Sequence, residues 1–80
     1  MTTFFAGSWQ NDFRKEGPTL SEEAVTEVCQ ALGVPLEEQG ELTLGQTREA
    51  LALCRAGKIS SSLEKTLVYA TSLGYTLTWD

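Results

Sequence analysis

Apolar residues along this chain fall into two strand-like runs, one near each end, with three helical stripes between them. From Thr2 to Gln10, Phe5, Gly7 and Trp9 share one side of an extended chain and Phe4, Ala6 and Ser8 the other. The aromatic content predicts a strand, weakened at Gly7. Asn11 to Pro18 is a polar connection that closes on Gly17-Pro18, a strong turn signal.

The first helix is expected to open on a capping box, in which Thr19 accepts from the Glu22 amide and the Glu22 side chain reaches back. Leu20, Ala24, Val25, Val28 and Leu32 then recur at helical spacing, with Cys29 alongside. Gly33 is placed as a left-handed C-cap, with Val34 packing back on the last turn. Pro35 to Gly40 reads as a short turn or one helical turn, decorated by Glu37, Glu38 and Glu41.

Thr43 with Gln46 forms a second capping box, opening a helix striped by Leu44, Thr47, Leu51 and Cys54 and widened by Ala50 and Leu53. Arg48 and Arg55 share a face away from most of that stripe, where they either make a second partner contact or pair with glutamates of the first helix. Gly57 stops the helix, and Lys58-Ile59 makes a tight link. A third box, Ser61 with Glu64, opens a helix with Leu63, Leu67, Val68, Ala70 and Leu73 on its apolar face and Gly74 at its end. Tyr75, Leu77 and Trp79 then alternate with Thr76 and Thr78, an amphipathic strand.

A lone strand leaves backbone groups unpaired, so the two end strands should pair with each other. The expectation is an α+β fold of order β-α-α-α-β. The three helices pack on one face of a two-stranded antiparallel sheet made by Thr3–Trp9 and Tyr75–Trp79. Trp9 and Trp79 then face each other, and both sheet edges stay open as docking or dimerisation sites. The aromatic cluster of Trp9, Trp79, Tyr69 and Tyr75 reads first as core, with partner anchoring as the sharper alternative.

Eighty residues are read as a single domain, 1–80. A domain of this size buries roughly 60–65% of its unfolded surface. There is no histidine, and the only cysteines are Cys29 and Cys54. A structural zinc site needs four nitrogen or sulfur ligands, so no metal is expected. Each cysteine reads as a small buried hydrophobe, with a disulfide between the two helices left open. No basic segment precedes an apolar run at the N-terminus, and no stretch approaches a membrane span, which points to a reducing cytoplasm and no membrane partner.

The formal charge of −5 is unevenly spread. Glu16, Glu22, Glu23, Glu27, Glu37, Glu38 and Glu41 fall in residues 16–42 without a single base, whereas Arg48, Arg55, Lys58 and Lys65 follow against Glu49 and Glu64. An acidic surface repels phosphate and disfavours direct nucleic-acid binding. It favours a protein with a basic surface, such as one whose groove itself holds nucleic acid. The candidate partner-binding residues are therefore Glu22, Glu23, Glu27, Glu37, Glu38 and Glu41.

Catalytic chemistry is not legible. Histidine, the commonest general base, is missing, and no nucleophile elbow, phosphate loop or dinucleotide glycine pattern occurs. Ser60-Ser61-Ser62 reads as helix capping and the paired glutamates as solvated surface. Neither an enzyme nor a cofactor is expected. In size, acidity and missing chemistry, the whole chain resembles small phage-encoded inhibitors of the anti-CRISPR and anti-restriction type. That resemblance implies a non-enzymatic inhibitor or adaptor that occludes a nucleic-acid-handling complex such as a CRISPR effector.

Two other readings compete. Ala52 to Thr66 has the outline of a helix-turn-helix, with Arg55, Lys58 and Lys65 near it, as in a small transcription regulator or antitoxin module built on Ala52–Leu73. Lys65 is the only base in its second helix, and Ile59 occupies a turn position. The third reading is a structural subunit that assembles with copies of itself, starting with a homodimer, through its strand edges.

Overall fold

The computed structural model describes residues 1–80. Its elements are β1 (Thr2–Ala6), β2 (Lys15–Leu20), α1 (Glu22–Leu32), β3 (Gly40–Glu41), α2 (Leu44–Arg55), a 3-10 turn at Ser61–Leu63, α3 (Glu64–Leu73) and β4 (Leu77–Trp79). The expected α+β class holds, with three helices. The chain ends pair antiparallel as expected, Phe4 opposite Trp79 and Ala6 opposite Leu77.

The sheet, however, has four strands rather than two, in the order β2-β1-β4-β3, all antiparallel. The two terminal strands are its centre, so the edges expected to be open are covered. β2 lies in what the sequence presents as a polar connection. Thr19, expected to cap the first helix, instead stands opposite Thr3, their hydroxyls 2.8 Å apart. The register shifts between Thr3 and Phe5, so that Gly17 and Pro18 together oppose Phe4. Such a bulge, on an edge strand, is where a sheet tolerates proline. Ser21 becomes the N-cap of α1 without a side-chain bond, its carbonyl accepting from Ala24 at 3.1 Å.

β3 has only two residues, and one of them meets a large neighbour. Gly40 stands opposite Trp79, and a Cβ on Gly40 would overlap the indole ring. Trp79 also donates its indole N–H to the Glu37 carbonyl at 3.0 Å, which ties the segment before β3 to the core.

Other caps agree with the sequence. Gly33 is left-handed, and Val34 donates to the Cys29 carbonyl. Thr43 and Gln46 form the reciprocal box that opens α2, and Gly74 is left-handed after α3. The third box does not form. Ser60 caps the 3-10 turn by accepting from Ser62, and α3 begins only at Glu64.

Pairing parity divides the sheet. Phe4, Leu77 and Trp79 face the helices and are buried with Val28, Leu42, Leu63 and Leu67 in one cluster of 12 residues. Phe4 and Trp79 pack with ring centroids 5.9 Å apart. Thr3, Phe5, Thr78 and Glu41 lie on the opposite face, which no helix covers. Trp9 is therefore not opposite Trp79. It crosses the open face to β3, donating its indole N–H to the Gly40 carbonyl at 3.1 Å.

Two of the three buried threonines bond to the backbone of other segments. Thr47 on α2 accepts from the Leu77 amide at 3.1 Å and donates to the Thr43 carbonyl. Thr78 donates to the Gly7 carbonyl at 2.8 Å. No buried side-chain polar atom lacks a partner.

Candidate partner-binding surface

The six glutamates singled out by sequence are all exposed, but they do not form one patch. Glu22 opens α1, and Glu37 and Glu38 sit on the segment that Trp79 ties down. These three line one cleft of about 520 Å³ together with Asp80, which the run of glutamates gave no reason to include. Its apolar part is Met1, Val25 and Leu36, the last 61% exposed. The carboxylates suit the positive end of α1, which has Glu22 and Glu23 in its first turn and no base in its last.

Glu23 and Glu27 continue the acidic surface around α1, beside Gln30 and Lys58. Lys58 is the only base among these residues. Glu41 is different. It lies on the open face of the sheet, where one carboxylate oxygen accepts from the Trp9 amide at 3.5 Å and the other from the Thr76 hydroxyl at 3.0 Å. Its charge is committed to holding the β1–β2 loop.

The only ion pair is Arg55 with Glu64, at 3.7 Å between two exposed side chains. Arg55 thus pairs with α3, not with a glutamate of the first helix as the sequence suggested, and Arg48 forms no pair. None of Glu22, Glu23, Glu27, Glu37 or Glu38 forms an ion pair within the chain.

Both cysteines are free and buried. Burial pushes the Cys29 thiol above its ordinary value, and the Glu37 charge adds to the rise. Cys54 is raised by burial and then by Glu64, with Arg55 opposing. Its thiol donates to the Ser60 carbonyl at 3.4 Å. Thiols held protonated in this way are poor nucleophiles.

The bases near the helix-turn-helix outline are dispersed. Arg55 is paired with Glu64, Lys58 lies against α1, and Lys65 faces a groove with Lys15 and Tyr69 between β2 and α3. Tyr69 and Tyr75 lean on each other at 6.4 Å, outside the buried cluster. No helix is long and apolar enough to cross a membrane. Comparison of the chain with family models, curated proteins and solved structures finds no match.

Proposed function

We propose that the chain is a non-enzymatic inhibitor or adaptor that binds a basic protein surface through its acidic side and acts by occlusion. The observation that carries this reading is the set of five exposed glutamates, Glu22, Glu23, Glu27, Glu37 and Glu38, with no internal ion pair. They wrap from the cleft beside Asp80 around α1. A side chain paired internally gains little from a partner, whereas unpaired carboxylates steer a cationic surface toward them. A nucleic-acid channel is one such surface, because it is built to receive a row of negative charges. A nucleic-acid-handling complex, a CRISPR effector among them, is the partner class this predicts. The dispersal of Arg55, Lys58 and Lys65 favours this over the reading as a DNA-binding regulator, since a duplex reader needs its bases on one surface.

The test is capture of a partner from native host lysate by the immobilised chain, set against Glu22→Lys/Glu37→Lys/Glu38→Lys. Circular dichroism should show the variant folded, since none of the three side chains is buried or hydrogen-bonded. The wild type is expected to retain a basic protein at low salt and release it as salt rises, while the variant retains none. Equal retention of the same protein by both would remove this surface from the account.

A further inference from the structure

Arg14 lies outside the acidic surface, at the far end of the sheet from the cleft. The cleft adjoins Thr2 and Asp80, whereas Arg14 follows the loop that leaves β1 at Gly7. It is half-buried on the open face. Its guanidinium carbon stands 4.1 Å from the Phe5 ring centroid and 4.2 Å from that of Trp9. One nitrogen, Nη1, donates to the Thr78 hydroxyl at 3.2 Å. Thr78 is fully buried and gives its own proton to the Gly7 carbonyl, so it meets the arginine as an acceptor.

These contacts hold the side chain in place with a single hydrogen bond. Arginine carries five N–H donors in a rigid fork, and only one of them is bonded within the chain. No carboxylate lies within 4 Å, because the single ion pair is Arg55–Glu64. Glu16 and Glu41 stand in the same cross-strand row as Phe5 and Thr78, yet neither reaches it. Glu41 is engaged with Trp9 and Thr76 instead.

The neighbouring loop is ordered and presents an apolar group to water. The Asn11 amide donates to the Ser8 carbonyl, and the Phe13 amide to Asn11 Oδ1 at 2.9 Å. Between these bonds and the β2 strand, the Phe13 ring is 89% exposed, the most exposed aromatic of the chain. Trp9 beside it is 37% exposed. Arginine and large aromatic side chains are enriched among the groups that dominate protein interfaces, and Arg14 is already held in place before a partner arrives.

We infer that Arg14, Trp9 and Phe13 form a second recognition site, whose ligand is a carboxylate on a protein partner next to an apolar side chain. The free, in-plane donors of Arg14 match a planar carboxylate. The Phe13 ring supplies apolar surface for the neighbouring residue. A nucleic-acid strand fits less well, because it carries a phosphate at every nucleotide and the site offers one guanidinium beside Glu16 and Glu41, a match for a single carboxylate. The site is independent of the acidic surface and does not rest on its function.

The probe is a short glycine-flanked peptide with adjacent phenylalanine and glutamate, its termini blocked, and a twin with glutamine in place of glutamate. Nitrogen–proton spectra follow the Arg14 Nε–H and the Trp9 indole N–H. Both signals should shift saturably with the glutamate peptide. The glutamine twin should bind about tenfold more weakly or worse, as expected for loss of a charge-assisted hydrogen bond. Arg14→Gln should show a loss of the same size, and Phe13→Ser should weaken binding while leaving the spectrum otherwise native. If Arg14→Gln fails to fold, the glutamine twin and Phe13→Ser decide the matter. Equal affinity for the two peptides overturns the proposal, as does the absence of any shift at Arg14. So does tighter binding of an oligothymidylate to the same signals.

Discussion

At the scale of single residues, the surprises have one origin, which is contact between side chains far apart in sequence. Gly40 looks like a turn glycine, but its conformation is not what requires it. The Trp79 indole occupies the place of its side chain, and that cannot be read without knowing that residues 40 and 79 are neighbours. Glu41 looks like one more surface acid and is in fact a strut for Trp9. The cysteines, by contrast, are buried hydrophobes as their helical positions suggested. Their raised thiols make a prediction about pH. In the unfolded chain both thiols ionise at the ordinary value of 9.0, and in the folded chain later. The native state thus keeps its protons longer, so its stability is intact below about pH 9 and is lost as pH rises through the folded values. Thermal melts across this range should fall more steeply for the wild type than for Cys29→Ala. Identical slopes would show that Cys29 is reached by solvent.

At the scale of elements, periodicity found what it is able to find. The three helices, the Thr43–Gln46 box and the glycine caps at 33 and 74 all stand, because each depends on residues within one turn of one another. β4 was legible from alternation, and its pairing with β1 from the need to satisfy backbone groups. β2 was not. Lys15 to Leu20 has no alternation, and its Gly17-Pro18 is ordinarily a turn. It is a strand only because β1 offers a partner and a bulge absorbs the proline. The two-residue β3 lies below what any pattern can show. These pairings make β4, like β1, a central strand bonded on both sides. Trp79→Ala removes a fully packed indole and should cost about 3–5 kcal/mol, against about 4–12 kcal/mol expected for a domain of this size. Removal of residues 77–80 should leave a chain without a cooperative melt at 25 °C. A truncated chain that melts near the full-length temperature would mean that β1, β2 and β3 do not depend on β4.

At the scale of the whole molecule, charge and fold are arranged around the same sheet. The acidic cleft lies at the end where β1 begins and β4 finishes, and the arginine with its aromatic neighbours lies at the other. The first was partly legible as a run of glutamates without bases. Asp80 joins it only because the terminal strand ends beside α1. The second was invisible, because Arg14 lies five residues from Trp9 and nine from Phe5 with no periodic relation to either. On the proposed function, the surface from α1 to Glu38 meets the partner. Amide hydrogen exchange of the chain alone and in complex with the captured protein tests it most directly. Slowed exchange is expected at Glu22–Glu27 and at residues 36–39, with Ala52–Leu73 unchanged. Slowing confined to Ala52–Leu73, with none on α1, would contradict it and move the partner contact to the second and third helices.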